Sequence, residues 1–268
     1  MKGWDARALT GMALVGLVLA AALLGPLLLP FAAETPDFTA TLSPPSLRHP
    51  LGTDDLGRDV LARIVVGAQV SLLVGIGSVA FALVFGSGLG LLAGYLGGWT
   101  DRIVMRCVDV LLAFPGILLA LGITAALGAS LVNVIIAIAA VNLPVFARVA
   151  RAEAMTLRRR DYVIAMRAQG FPEHRILLGT VLPNASPPIL VQASLLLASA
   201  IITESVLSFL GLGVQPPTPT WGNMLRNAIG FLGLADWLAW FPGLAIFITV
   251  LGFNLLGDGL RDRLDPNN

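Results

Sequence analysis

Residues 161–184 read DYVIAMRAQGFPEHRILLGTVLPN, a basic segment between apolar stretches of the chain. Its first residues follow a helical pattern, Gly170 suits the left-handed cap that ends a helix, and Pro172 suits the first turn of a second helix. The second helix is predicted to end near Pro183, because a proline ring cannot follow a regular helical turn. The segment is therefore predicted to form two short helices joined by a tight turn. Two ordered helices favour a docking surface over a simple positive anchor that sets topology.

The composition identifies the solvent in which this segment folds. Hydrophobic residues make up 56% of the 268 residues, the chain has 29 glycines, and charged residues make up 12%, against roughly 25% in soluble domains. These values predict an integral membrane protein with one membrane domain. The formal net charge of +1 predicts no nucleic-acid partner, and the single Cys107 excludes an internal disulfide.

Six apolar runs are long enough to cross about 30 Å of hydrocarbon as helices. They cover residues 8–31, 70–96, 103–127, 131–150, 189–210 and 237–256. The first run is too long for the core of a signal peptide, which has roughly 7 to 15 residues, and is predicted to be an uncleaved span. With the N-terminus inside, the basic residues left outside are Arg48, Arg58, Arg63 and Arg226. The positive-inside rule therefore places both termini in the cytoplasm, with the largest cytoplasmic loop at about 151–187.

The first external segment, residues 32–66, is predicted to carry an interfacial helix. Thr53 and Asp54 are candidate caps for this helix, and its apolar face would carry Leu56, Val60 and Ile64. The chain is predicted to divide into residues 1–66, with the first transmembrane helix and this external loop, and residues 67–266, the transmembrane domain that contains the cytoplasmic loop.

The sequence offers no recognisable catalytic motif. A nucleotide-binding P-loop needs a lysine after its glycines, and the only lysine is Lys2. His49 and His174 fall on opposite sides of the predicted membrane, so they cannot share a metal. Serines within the spans have no histidine at the same depth to activate them, and helix packing is the favoured role of Ser71, Ser78, Ser87, Ser194 and Ser199. The chain is therefore predicted to be no enzyme and to bind no cofactor or metal.

Small and acidic residues mark special positions within the spans. Gly86, Gly90 and Gly94 are spaced four apart, which favours close helix packing in lipid over the lining of a polar passage. Asp109 lies near the cytoplasmic end of the third run, where its side chain can snorkel. Glu204 lies well inside the fifth run, where an unpaired charge costs about 2.5 to 3.5 kcal/mol. Glu204 is therefore predicted to face a cavity or a polar partner, and both acids are candidate residues of a translocation path.

Residues 162–184 resemble the cytoplasmic signature loop of permeases from ATP-binding-cassette (ABC) importers. The family pattern is Glu-Ala-Ala, three residues, Gly, nine residues, Ile, one residue and Leu-Pro. The residues that match it at this spacing are Ala165, Gly170, Leu182 and Pro183. The residues that depart from it, where the family has Glu, Ala and Ile, are Ile164, Met166 and Thr180.

Four further stretches resemble the C-type permease subunit of dipeptide, oligopeptide and nickel importers, over about residues 50–266. They are HPLGTDDLGRDVLARI, GYLGGWTDRIVMRCVDVLLAFPGILLA, SFLGLGVQPPTPTWGNML and FPGLAIFITVLGFNLLGDGLRDRLDP. The resemblance implies an all-α type I importer permease fold, with five core spans preceded by a sixth, in the inner membrane of a prokaryote. It also implies a translocation path, formed with a related sister permease, for dipeptides or short oligopeptides, with nickel or glutathione as alternatives.

The same resemblance implies the partners. Two cytoplasmic ATPases, which bind ATP and magnesium, are expected on the signature loops, an extracytoplasmic solute-binding protein delivers the solute, and membrane lipid surrounds the spans. The residues expected to couple to the ATPases are Arg160, Ile164, Ala165, Arg167, Gly170, Leu182 and Pro183. Because Ile164 offers only apolar contact where the family has Glu, the interface is predicted to use Arg160 or Arg167.

Two rival hypotheses come from other classes of protein. An ion-coupled secondary transporter needs ion or proton sites at mid-membrane and usually an internal repeat, and the spans show neither. A membrane scaffold would have no transport role. An importer subunit is expected to copurify with an ATPase and a sister permease, whereas a secondary transporter is expected to work alone.

Overall fold

The computed structural model describes residues 6–29 and 32–264, and within them the regular structure is helical, without a β-strand. The α-helices are α1 (Ala6–Leu28), α2 (Val60–Leu96), α3 (Gly98–Leu112), α4 (Gly116–Leu127), α5 (Leu131–Leu157), α6 (Asp161–Ala168), α7 (Glu173–Ile176), α8 (Leu182–Phe209), α9 (Trp221–Ala228) and α10 (Trp237–Leu264). A π-helical turn, Leu177–Val181, joins α7 to α8, and a 3-10 turn, Ile229–Phe231, follows α9. Among the described residues, five helices are long and apolar enough to cross a membrane, and α3 with α4 makes a sixth crossing if the bent pair is one span. The predicted all-helical, multi-span fold is confirmed.

Helix α2 begins at Val60, earlier than the predicted second span. Asp59 caps it, because its side chain accepts a hydrogen bond from the backbone N–H three residues further on, at 2.8 Å. The interfacial helix predicted within residues 32–66 is therefore wrong: its last part belongs to α2, and neither Thr53 nor Asp54 is the cap. The predicted domain boundary, at the end of this segment, falls inside α2.

The external segment before α2 is folded by ion pairs rather than by a helix. Oδ2 of Asp54 accepts a hydrogen bond from Nε of Arg58 at 2.7 Å and lies 3.4 Å from Nε of Arg63. Arg63 also donates to the backbone oxygen of Ala33 at 3.0 Å. All three charged residues are buried. Because buried charges need partners, this network fixes the direction in which the chain enters α2.

The third predicted span, residues 103–127, is not one straight helix. Helices α3 and α4 are bent by 90° at the break between them, where Pro115 is the N-cap of α4. Proline has no N–H for the helical ladder and disfavours helix in the residue before it, so the apolar run changes direction there. The 12 residues of α4 reach only about 18 Å, which is less than the thickness of the hydrocarbon core.

Pro183 does not end the second helix of the predicted helix pair, so that prediction is wrong. The chain continues as one helix over Glu173–Phe209, and the N–H of Leu182 bonds five residues back across the π-helical turn. This wider turn makes room for the proline ring. One turn later, the hydroxyl of Ser186 donates to the backbone oxygen of Pro183 at 2.8 Å, which replaces the N–H that Pro187 lacks.

Helices α2 and α5 pack with their backbones in contact along the predicted glycine face. A Cβ added at Gly86, Gly90 or Gly94 would lie 2.6, 2.2 or 2.4 Å from the backbone oxygens of Leu143, Ala147 and Arg151, respectively. These distances are below any normal contact, so only glycine fits at the three positions, and the predicted packing role is confirmed. Helix α8 packs against both α2 and α5, α10 packs against α8, and α1 lies along α10.

We expect Gly90→Ala to weaken the contact between α2 and α5. The added methyl group meets the backbone oxygen of Ala147, and overpacking costs about 1–3 kcal/mol. The measurement is the thermal unfolding midpoint of the purified protein in detergent. Gly88→Ala is the matched control, since a Cβ at Gly88 meets no described atom within 4 Å. Equal midpoints for the two variants would contradict the role assigned to Gly90.

Candidate coupling site

The turn between α6 and α7 is closed by two backbone hydrogen bonds. The N–H of Phe171 bonds to the oxygen of Met166 at 3.1 Å, and the N–H of Gly170 bonds to the oxygen of Arg167 at 2.9 Å. The pair forms a Schellman motif, and Gly170 has the left-handed φ of +80° that this motif requires. The predicted cap at Gly170 is confirmed, and Pro172 is the N-cap of α7, one residue before the predicted first turn.

The helix pair turns one side inward and presents the other at the surface. Val163 of α6 and Ile176 of α7 are fully buried. Tyr162, Ile164 and Phe171 are exposed, Ile164 by 52%. We name these three residues the exposed apolar face. These side chains lie on an ordered helix pair outside the spans, where they are available for contact with another protein.

The predicted coupling residues occupy consecutive parts of this segment. Those at the N-cap of α6 and along α6, all exposed, are Arg160, Ile164, Ala165 and Arg167. Those in the turn and at the start of α8, also exposed, are Gly170, Leu182 and Pro183. The structure therefore groups the first set with Gly170 in one knob, whereas Leu182 and Pro183 lie beyond the π-helical turn.

Arg167 is engaged with two other residues of the chain. Its Nε lies 3.0 Å from Oε1 of Glu173, and its guanidinium lies over the ring of Tyr95, 5.1 Å from the centroid. The hydroxyl of Tyr95 donates to Oε2 of Glu173. Burial acts to lower the pKa of Arg167, but Tyr95 and Glu173 outweigh it and the pKa is raised. The three side chains form a closed set of contacts around a permanent cation, and we name them the cytoplasmic clamp.

Arginines also join the cytoplasmic ends of the spans. Nη1 of Arg158 donates to the backbone oxygens of Gly94 at 3.1 Å and of Tyr95 at 3.3 Å. Nη2 of Arg151 donates to Oδ2 of Asp101 at 2.7 Å. These contacts hold the ends of α2, α3 and α5 together next to the clamp.

Tyr95 and Glu173 are parts of the site that the sequence did not predict. A local signal existed for Glu173, because it and the oppositely charged Arg167 flank a tight turn. No local signal existed for Tyr95, since its hydroxyl reaches Glu173 only through the packing of α2 beside the helix pair.

The two candidate path residues have different surroundings. Asp109, on α3, accepts a hydrogen bond from Nη2 of Arg148 at 2.8 Å, and both side chains are about half exposed. Glu204, on α8, is fully buried. The first is a surface ion pair of the kind that contributes little to stability, whereas the second needs internal partners.

Glu204 has hydroxyl partners on both of its oxygens. Oε1 accepts from Oγ of Ser208 at 2.7 Å, and Oε2 accepts from Oγ of Ser71 at 3.0 Å and of Ser205 at 3.5 Å. The predicted polar partner is therefore confirmed. Because Ser71 belongs to α2, it does more than the packing role predicted for it: the carboxylate joins α8 to α2 through it.

We expect Glu204→Ala to destabilise the protein strongly. The buried hydroxyls of Ser71 and Ser208 would lose their acceptor, and each unsatisfied group costs roughly 1–3 kcal/mol. Glu204→Gln keeps an acceptor oxygen and is expected to lose less. The thermal unfolding midpoint in detergent measures both effects, with Thr203→Val as control, because Thr203 is only partly buried and its hydroxyl bonds within its own helix. A midpoint for Glu204→Ala equal to that of the wild type would contradict this role.

A bundle of apolar helices with an ordered, exposed helix pair between two of its spans is the architecture of a multi-span membrane protein and fits the predicted permease. Residues 86–268 match the family described as binding-protein-dependent transport system inner membrane component. The match covers more than half of the chain, and the chain belongs to this family. It is a permease subunit of an ABC importer, with the type I importer permease fold, and a multi-pass protein of the inner membrane.

Relatives with named functions match nearly the whole chain. A dipeptide transport system permease protein of Alkalihalophilus pseudofirmus is 46% identical over 259 residues, which cover 97% of this chain and 85% of the relative. A di/tripeptide transport system permease protein of Pseudomonas aeruginosa is 46% identical over 265 residues, with 97% and 88% covered. A glutathione transport system permease protein of Pectobacterium atrosepticum is 47% identical over 251 residues, with 93% and 83% covered. These matches give no support to the ion-coupled secondary transporter.

Proposed function

We propose that this chain is the C-type subunit of an importer for short peptides. The relatives are named for dipeptides, di/tripeptides and glutathione, and glutathione is itself a tripeptide. Dipeptides or short oligopeptides are therefore the proposed solute, whereas nickel appears in none of these three names. A related sister permease forms the path together with this chain, and an extracytoplasmic binding protein delivers the peptide.

The observation that carries the proposal is the exposed apolar face on the ordered pair α6–α7. Two cytoplasmic ATPases are the proposed partners of this surface. ATP and magnesium would bind to them, since Lys2 is the only lysine of this chain and its sequence has no P-loop. Of the two arginines predicted to contact the ATPase, Arg160 is exposed at the start of α6, whereas Arg167 is engaged in the clamp. We therefore assign the ATPase contact to Arg160 and Ile164.

The chain around α6 provides a direct route from an ATPase to the spans. The N–H of Arg160 bonds to the oxygen of Leu157, the last residue of α5, at 3.0 Å, so a tight turn links α5 to α6. On the other side, α7 continues into α8. Closure of the ATPases would therefore displace the cytoplasmic ends of α5 and α8 together. Such coupling requires two permease conformations that differ in affinity for the closed ATPases.

Gly170→Val is expected to abolish ATP-driven uptake. A β-branched residue is strained at a φ of +80°, so the turn opens and the exposed apolar face is lost. Membrane insertion is expected to be unchanged, because the turn lies outside the spans. The measurements are uptake of a labelled dipeptide into membrane vesicles and copurification of the ATPase.

Gly170→Asn is the matched control for this experiment. Asparagine tolerates the left-handed region, and a Cβ at Gly170 meets no described atom within 4 Å, so this variant is expected to keep most of the uptake. Normal uptake by Gly170→Val would remove the basis for docking of the ATPase at the helix pair.

A further inference from the structure

The cytoplasmic clamp joins three separate helices. Tyr95 is at the end of α2, Arg167 is on α6, and Glu173 opens the helix that continues into α8. We propose that the clamp is a positioning device that transmits movement of the helix pair to α2, and so to the outer half of the bundle. This inference rests on the proposed docking of an ATPase at α6–α7.

The contacts show why the clamp sets position rather than overall stability. Arg167 and Glu173 are partly exposed, with side-chain exposures of 36% and 55%, and exposed ion pairs contribute about 0–1 kcal/mol. Tyr95, by contrast, is only 3% exposed and is held by α2. Its hydroxyl and ring therefore provide a buried contact point for the two more exposed side chains. Removal of the hydroxyl is expected to loosen the helix pair without unfolding the protein.

Helix α2 is well suited to carry the movement. Its backbone lies against that of α5 at Gly86, Gly90 and Gly94, and close packing of this kind transmits strain. Near the other end of α2, Ser71 donates to Glu204 at 3.0 Å, which joins α2 to the outer half of α8. Movement applied at the cytoplasmic end of α2 therefore reaches the outer half of α8 through this hydrogen bond, in addition to the direct route from α7 into α8.

The direct route into α8 passes through the π-helical turn, Leu177–Val181. Helices bend where the regular ladder of hydrogen bonds is interrupted, so part of a displacement of α7 is absorbed in this turn. The route through the clamp avoids the π-helical turn, because the clamp lies on the cytoplasmic side of that turn and connects the helix pair directly to α2. Tight coupling of ATP hydrolysis to transport thus depends on the second route.

Tyr95→Phe tests the proposal, since it keeps the ring under the guanidinium and removes only the hydroxyl. The complete importer, with its copurified partner subunits, is reconstituted in proteoliposomes with its binding protein, and ATP hydrolysed per molecule of labelled dialanine imported is measured. We expect this ratio to rise roughly fivefold, the equilibrium factor for one hydrogen bond of about 1 kcal/mol. Thr156→Val is the control, because Thr156 is exposed near the same end and bonds only within its own helix.

A distance measurement on the same importer is independent of the solute. Spin labels are placed by Leu96→Cys at the end of α2 and Ala168→Cys at the end of α6, with the native cysteine removed by Cys107→Ser. The distribution of distances between the labels is expected to broaden in Tyr95→Phe and to stay as in the wild type in Thr156→Val. Electron–electron double resonance provides this distribution.

Charge reversal distinguishes a role of the clamp in coupling from a merely structural role. Glu173→Arg alone places two like charges together and is expected to raise the ATP-to-peptide ratio, whereas Glu173→Arg combined with Arg167→Glu restores an ion pair and is expected to recover part of the coupling. An unchanged ratio with an unchanged distance distribution in Tyr95→Phe would overturn the proposal. Loss of ATPase copurification in Tyr95→Phe would also overturn it, by showing that Tyr95 acts on docking. The docking proposal itself is tested separately by Gly170→Val.

Discussion

Lipid provides no hydrophobic driving force between helices, so α2 and α5 are held by direct contact of their backbones. Gly86, Gly90 and Gly94 permit this approach over about two turns, and close packing of this kind transmits strain from one helix to the other. The other contacts are arranged around it. Arg158 ties the end of α5 to the end of α2, and the clamp and the Glu204 carboxylate attach the helix pair and α8 to opposite ends of α2. Helices α2 and α5 therefore form the centre to which these other contacts attach.

Buried polar groups in a membrane bundle are more constrained than those in a soluble protein, because the surrounding lipid offers no hydrogen-bond partners. A carboxylate at membrane depth must find its partners inside the protein, and Glu204 finds them on its own helix and on α2. A route between two permeases is lined by surfaces that face the sister subunit, whereas Glu204 is enclosed by its own chain in this conformation. Glu204 therefore joins α8 to α2. A place on the translocation path stays a prediction for Glu204 and for Asp109.

Features that depend on a few neighbouring residues were predictable from the sequence, and features that depend on tertiary contacts were not. The cap at Gly170 and the glycine face of α2 follow from local rules of backbone geometry and helix period. Pro183 was assigned as a helix end by such a rule, but the π-helical turn before it removes the steric conflict. The bend in the third predicted span was not predictable from hydropathy, which reports the length of an apolar run and not its direction. Tyr95 was missed because its role depends on a partner from a distant part of the chain.

The departure of Ile164 from the family signature is consistent with the way this segment uses its charges. Glu173 and the ring of Tyr95 compensate the charge of Arg167 within the chain, so less positive charge is presented to a partner than the arginine content suggests. In the proposed docking of an ATPase, the exposed apolar face would bind instead by removal of apolar area from water, worth about 25 cal/mol per Å². The two proposals thus assign docking and transmission to different residues: Ile164 is exposed, whereas Tyr95 is buried and belongs to the clamp. With the two roles divided in this way, mutation would weaken the proposed binding of the ATPase or its coupling to transport one at a time, which a single residue with both roles would not allow.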